Sequence, residues 1–396
     1  MFDMGDFLRA SGGGSLVLYP GQQNIVKAVQ SQGGGMPIDL EALFAKAGGI
    51  FQPSSGDMHI DSALTNISLA FMQDQSNFVA RRAFRSVPVA QRGNLYWTYP
   101  KGAFNRNEMA KRAPGTESKG TNYQVDTARY FCDVYALHVD VADQIRDNAD
   151  AAFNMDRDVT NLLTMKAYLN EELDWVDKFF GGANFTATPG GTWSFVADGV
   201  ASSPTAEGSL DFTNASNNNV LQWNDSSSSP ITLMRRAKRT MQQETGFRPN
   251  VLVMGREVYD ELLDHPEIIA RIDSGQTPGG PALTSQQSLA AIFELEEILV
   301  MEAIVNTAAV GAADVHTFIG GKNALLLYRP SSPGLMTPAA GYTFLWSGFS
   351  GANGGGARIK NMRLEWIESD RIEIQSAYET NKVSADLGFY FNGIVA

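Results

Sequence analysis

Four histidines, one cysteine and two glycine-rich turns are the places in this 396-residue chain where chemistry could be sought. His59, His138, His265 and His316 are scattered, and none has a metal-ligating partner three or four residues further along the chain. With a single cysteine in the chain, a structural zinc site is not expected. His138 lies in an alternating run and His265 beside Pro266 at a helix end, so packing or capping is the expected role of each. Cys132 sits in a strand pattern with no basic neighbour placed to hold it as a thiolate, which predicts a buried, inert thiol. Gly354-Gly355-Gly356-Ala357-Arg358 could cradle a phosphate, but it leads into a strand and lacks the dipole of a helix N-terminus. Gly320-Gly321-Lys322-Asn323 has neither the spacing nor the hydroxyl residue of a phosphate-binding loop. The acids Glu171, Glu172, Asp174 and Asp177 share one helical segment and read as a solvated face or a subunit contact. A paired acid–base site would need an enclosed pocket that the sequence does not indicate. No catalytic residue, metal ligand or cofactor is assigned, and an enzyme is not expected.

The elements that position these residues follow from periodicity. Residues 1–60 are rich in Gly, Ser, Gln and Pro, with a short amphipathic piece at 38–47, and such a segment in isolation reads as an arm. From Leu95 the pattern alternates, Leu95, Trp97 and Tyr99 on one side and Tyr96 and Thr98 on the other. A polar stretch, Lys101 to Asn122, follows with turn chemistry at Pro114-Gly115 and Lys119-Gly120, and alternation resumes from Tyr123 to Val141. Two period-2 runs around a long polar tip predict an extended antiparallel hairpin. The clearest helix runs from about Met155 to Phe180, with Asn154 as N-cap, Asp156 and Asp158 in the first turn, and Gly181-Gly182 as the stop. At about 1.5 Å per residue it is a strut of nearly 40 Å. Residues 183–230 suggest loops with short strands. Helix from Pro230 to Glu244, strand at Val251 to Met254, helices at Glu257 to Leu263 and Ser285 to Phe293, and strand at Ile298 to Ala303 describe a compact α/β unit. The tail reads as strands at Met362-Leu364-Trp366, Ile372-Ile374 and Leu387 to Ile394.

The chain is long enough to bury a sizeable core, and 43% hydrophobic with 19% charged residues is ordinary for a globular protein. No apolar run approaches the roughly 20 residues of a membrane span, the first residues do not resemble a secretory signal, and one cysteine suggests a reducing compartment. A net charge of −12 argues against a broad nucleic-acid-gripping face.

One charge pattern stands out. Residues 81–129 carry ten basic and three acidic side chains, net +7, and 130–180 carry four basic and eleven acidic, net −7. A positive hairpin before a negative strut suits head-to-tail contact between copies of one chain. Arg92, Lys101, Arg106, Lys111, Arg112 and Lys119 on the hairpin, with Glu171, Glu172, Asp174 and Asp177 on the strut, are the contact candidates. The alternative is a hairpin balanced against its own strut.

These pieces in this order resemble the major capsid proteins of tailed bacteriophages with the Hong Kong 97-type fold. The telling stretches are Tyr96-Trp97-Thr98-Tyr99-Pro100-Lys101-Gly102, Arg112-Ala113-Pro114-Gly115-Thr116-Glu117-Ser118 and Tyr130-Phe131-Cys132-Asp133-Val134-Tyr135-Ala136. Phe247-Arg248-Pro249-Asn250-Val251-Leu252-Val253-Met254-Gly255-Arg256, with Leu262 to Pro266, also looks like that family's axial domain. The resemblance covers most of the chain and leaves 1–35 and 183–229 outside it. It implies an α+β fold with an N-terminal arm at 1–63, the start of a peripheral domain at 64–87 and an extended β-hairpin loop at 88–135. A peripheral domain at 136–229 would hold a spine helix at 154–180 and an insertion at 183–229. An α/β axial domain at 230–345 and C-terminal strands at 346–396 returning to the peripheral domain would complete it.

The implied function is that of a virion shell protein, assembled in the host bacterial cytoplasm into an icosahedral capsid around double-stranded DNA, without sequence-specific binding or a membrane. Implied partners are itself, as hexamers and pentamers, a separate scaffolding protein, a portal and a decoration protein. Some relatives crosslink through a loop lysine; Lys101, Lys111 and Lys119 lie in the loop, but no crosslink is expected. The alternatives are an encapsulin-like compartment and an α/β enzyme with its site in 230–345.

Overall fold

The computed structural model describes residues 72–122, 124–148, 155–181, 193–273, 285–309, 311–334, 337–349 and 356–396. The expected arm at 1–63, the Asn154 cap and most of the 354–356 glycine run lie outside them. One unit takes residues 53–308 and 314–396. A second takes 1–52 with 309–313, where the Ala312 N–H donates to the Ala309 carbonyl at 3.0 Å.

The larger unit opens with α1 (Ala80–Ala83), β1 (Arg85–Val89), β2 (Gly93–Thr98), α2 (Lys101–Phe104), β3 (Asp126–Phe131) and β4 (Asp133–Ala142). Then come α3 (Asp143–Asp147), α4 (Met155–Trp175), β5 (Phe195–Val200), β6 (Asn219–Leu221) and α5 (Pro230–Thr245). They are followed by β7 (Val251–Gly255), α6 (Arg256–Asp264), α7 (Pro266–Asp273), α8 (Gln286–Phe293), β8 (Glu297–Met301), β9 (Ile304–Asn306) and β10 (His316–Phe318). The chain closes with β11 (Ala324–Leu327), β12 (Gly341–Trp346), β13 (Ala357–Leu364), β14 (Ser369–Lys382) and β15 (Gly388–Asn392).

Two sheets organise these elements. The five-stranded sheet runs β1-β12-β14-β13, with β4 also paired along β14. The six-stranded sheet runs β6-β5-β15-β11-β7-β8. Strand β7 explains why 251–254 is a continuous apolar run: Leu252 and Met254 enter a core beneath α5, α6, α7 and α8, while Val251 and Val253 enter a second core on the other face. A strand buried on both sides has no polar face to alternate with. The second core is filled by the far end of α4, where Trp175, Val176, Phe179 and Phe180 pack with Val79, Phe84 and Tyr390. The middle of α4 seats Leu163 on Val141, Ile372 and Ile374 of the five-stranded sheet.

Helix boundaries follow local chemistry. Pro230 starts α5 and Gly246, at φ +80°, stops it with its N–H on the Gln242 carbonyl. Ser285 caps α8 by accepting from the Ser288 N–H. The strut ends differently from an ordinary helix: Val176–Phe180 is a π-helical turn, closed by Gly181 at φ +65°.

Three expectations are corrected. Residues 341–345, placed in an axial domain spanning 230–345, lie in β12 (Gly341–Trp346) of the other sheet, between β1 and β14. The C-terminal strands do not return together. Strands β13 and β14 join the five-stranded sheet, while β15 enters the six-stranded one, because Phe389, Tyr390 and Phe391 are apolar on both faces and fill its two cores. The described part of 183–229 contributes β5 and β6, which extend the six-stranded sheet by parallel pairing with β15 and each other. In addition Trp366, read as part of a strand, lies in the 3-10 turn Glu365–Ile367 between β13 and β14.

The glycines examined as a phosphate loop have a packing role. Gly320 and Gly321 precede β11, and their carbonyls crowd Gly255 so closely that a Cβ there would lie 1.9 Å from the Gly321 oxygen. Gly255→Ala is expected to destabilise the subunit by about 2 kcal/mol, as overpacking does. Thermal unfolding of the two proteins checks this, and an unchanged melting temperature would contradict the packing account.

Candidate functional site

The candidate surface is the hairpin β2–β3, paired in register from Gly93 opposite Phe131 to Thr98 opposite Asp126. Alternation gives it two faces. On the inner face Tyr130 stacks on Phe344 with ring centroids 4.6 Å apart, and Tyr96 lies 5.6 Å from the same ring. Cys132, fully buried beneath them, has its thiol pushed up to about 11, chiefly by burial. It is too protonated at neutral pH to act as a nucleophile. On the outer face Leu95, Trp97 and Phe131 stand 61%, 62% and 52% exposed. Further along the tip Phe104 and Met109 are also exposed.

The hairpin cations divide into engaged and free groups. The Arg92 Nε donates to the Cys132 carbonyl at 3.0 Å, and its guanidinium lies 4.5 Å from the Phe131 ring centroid. Lys101 pairs with Asp386 at 2.8 Å and Glu244 at 3.8 Å, and Arg106 sits 3.5 Å from Glu108. Arg112 donates to the Thr116 carbonyl across the Ala113–Thr116 turn, where Gly115 at φ +81° follows Pro114. Lys111 and Lys119 are exposed and have no carboxylate partner within ion-pair distance among the described residues.

On the strut, the expected solvated face or subunit contact is corrected for two of the four acids. Glu171 and Glu172 are buried, facing α1 of their own chain. Arg81, counted with the hairpin charges, pairs with Glu171 at 2.7 Å. Glu172 Oε2 accepts the N–H groups of Val79 and Ala80 at 3.0 and 2.8 Å, and its Oε1 has no hydrogen-bond partner among the described residues. Asp174 pairs with Lys178 one turn on, leaving Asp177 exposed. The neighbouring acids are also met within the chain: Asp140 by Arg371, Asp143 by Arg363 and Asp156 by Arg146. Much of the negative charge of 130–180 is therefore answered within the chain, on the strut by Arg81, Arg146 and Lys178 and before it by Arg363 and Arg371.

Among the described residues, the chemistry-bearing side chains lie apart from one another. His265 is buried, its Nε2 3.0 Å from the Ser228 hydroxyl and its Nδ1 accepting the Glu267 N–H, which is the capping role expected of it. His138 differs from the packing expectation, being exposed on β4. Arg358 lies over the Phe349 ring, 3.8 Å from its centroid, with its Nε on Gln375. An open concavity of about 500 Å³ near the hairpin tip is lined by Thr98, Tyr99, Pro100, Gln124, Val125 and Asp126, a set without a nucleophile–base pair. Among the described residues no cluster of three or more His, Cys, Asp or Glu could hold a metal, and no helix is long and apolar enough to cross a membrane. The outer apolar face was legible as alternation at 95–99, although the sequence's charge pattern pointed elsewhere.

Burial pushes the Glu172 carboxyl up from 4.5 to about 7, against the opposing pull of its two N–H donors. A raised native pKa means stability that is complete below the unfolded value and lost as pH rises through the native one. Glu172→Gln keeps an oxygen for both donors and removes the titration. Above pH 7 the variant is expected to be more stable than the parent by on the order of 2–3 kcal/mol, with the difference vanishing below about pH 4.5. Urea unfolding across that range checks it, and parallel pH profiles for the two proteins would contradict it.

Comparison with known proteins gives similarity to phage capsid proteins. Residues 205–340 match the family described as phage major capsid protein E. The chain is 29% identical over 172 residues to the major capsid protein of Burkholderia phage BcepMu, a match covering 42% of this chain and 51% of that relative. It is 23% identical over 351 residues to the major capsid protein of Pseudomonas phage JBD67, covering 87% and 99%. The capsid structure of Cyanophage P-SCSP1u shares the fold with a TM-score of 0.54 at 10% identity, over 87% of this chain and 99% of that one. Over residues 205–340 the chain is thus similar to the phage major capsid protein E family, over most of its length it is similar to a phage major capsid protein, and it shares the Hong Kong 97-type fold.

Proposed function

We propose that the chain builds an icosahedral shell around phage double-stranded DNA by self-association into hexamers and pentamers, with the hairpin as its reach onto a second copy. The observation that carries this reading is the two-faced hairpin. Its inner aromatic face is satisfied by its own sheet, whereas Leu95, Trp97 and Phe131 face outward and no described residue buries them. Apolar side chains grouped on a projecting element mark an association surface, because covering them removes their contact with water. The tip cations Arg106, Lys111, Arg112 and Lys119 steer the approach, and Arg92 braces Phe131.

Within this reading 88–135 is the extended loop and α4 the spine of a peripheral domain that includes the five-stranded sheet. The six-stranded sheet with α5 to α8 is the core of the axial domain. The residues before 64 serve as an arm. The assembly route uses a separate scaffolding protein and a portal, in the host cytoplasm, with a decoration protein as a later addition.

Size-exclusion chromatography with electron microscopy of the purified chain tests the reading: closed shells, hexamers or pentamers are expected, and a stable small oligomer with catalytic turnover would overturn it. DNA inside the native particle separates a capsid from an encapsulin-like compartment. Trp97→Asp combined with Leu95→Asp is expected to abolish shell formation while the subunit keeps its fold, since neither side chain packs in its own core. Reversal of Arg106, Lys111 and Arg112 to Glu is expected to slow assembly most at low salt, where charges are least screened. Unchanged assembly by either variant would reject the hairpin's role.

A further inference from the structure

Two helices of the α/β unit carry matching stripes of opposite charge. Helix α5 buries Ile231, Met234, Ala237 and Met241 in the core and turns Arg235, Arg236 and Arg239 away from it. It holds four basic side chains and the single acid Glu244, which lies beside Lys101. Arg235 and Arg239 are exposed, and no carboxylate among the described residues pairs with either. Helix α6 buries Val258 and Leu262 and turns out Glu257, Asp260, Glu261 and Asp264, the same three- and four-residue spacing that sets the arginine stripe. Its one basic residue, Arg256, is held by Asp260 at 3.0 Å and by Glu302 at 2.5 Å. Glu257, Glu261 and Asp264 are exposed and have no such partner among the described residues.

We infer that the α5 and α6 stripes are the two halves of a head-to-tail contact between copies of this chain, formed within the α/β unit and separate from the hairpin. The inference rests on the self-assembly reading. Opposite stripes of one repeat, both on the faces their helices turn from the core, can be satisfied in the next copy, and a contact of this heterologous kind closes rings. The occupant is a second copy rather than nucleic acid, because the partner charge is present on the same subunit and the chain's net charge of −12 repels a polyanion.

The test is a charge swap in the full chain, using Arg235→Glu with Arg239→Glu on one side and Glu257→Lys with Glu261→Lys on the other. Either pair alone is expected to cut particle yield at low salt by roughly tenfold, through like-charge juxtaposition. Added salt should restore part of it. The fourfold variant, with the stripes exchanged, is expected to assemble again. Circular dichroism and thermal melting identify subunits that remain folded. The contact is overturned if folded single-side variants assemble as the parent does, or if the folded fourfold variant fails to recover. It is also overturned if the α5 pair alters only the DNA content of normal particles. Absence of shells from the parent chain itself would instead remove the underlying reading, and the contact with it.

Discussion

The structure depends on where the long helix ends. The middle of α4 lies on the five-stranded sheet through Leu163, and its last turns bury Trp175, Phe179 and Phe180 under the six-stranded sheet. Each such aromatic contributes on the order of 2–3 kcal/mol when removed from water. The π-turn at 176–180 widens the helix by one residue just where these rings must fan out, and Gly181 at φ +65° releases the chain. The Trp175 ring meets Phe84 edge-on, so the same contact that seats the helix also seats the segment leading into β1. Glu172 reinforces that seat by accepting the first N–H groups around α1.

From this seat the hairpin inherits its orientation. Strand β1 pairs in parallel with β12, β12 carries Phe344, and Phe344 stacks on Tyr130 at the base of the hairpin. One face of the hairpin is thereby fixed inward, and strand alternation dictates that the other points out. The exposed Leu95, Trp97 and Phe131 are a consequence of the same register. In the proposed assembly this arrangement has the hairpin's outer face held by a sheet rather than by a free loop.

Local patterns were legible in the sequence where one face of an element is enough to define it. The start of α4, the Pro230 and Gly246 limits of α5 and the alternation at 95–98 fall where expected. What sequence could not supply was pairing across long separations. Glu171 and Glu172 look like a solvated acidic face from their neighbours, yet their partners lie some ninety positions earlier, with Glu172 and Ala80 separated by 92. The split of the C-terminal strands between two sheets is equally non-local, because Gly388–Asn392 finds its neighbours at 324–327 and 195–198. The charge totals of 81–129 and 130–180 were correct as sums, but sums do not reveal that β13 and β14 bring arginines to Asp143 and Asp140. The family resemblance carried the functional reading that the absence of a catalytic cluster could not.

A reconstruction of assembled particles at side-chain resolution tests the central claim most directly. The account predicts that Leu95, Trp97 and Phe131 lie buried against a neighbouring copy while Tyr96 and Tyr130 stay packed against Phe344 of their own chain. A closed particle in which that outer face remains open to solvent would contradict it.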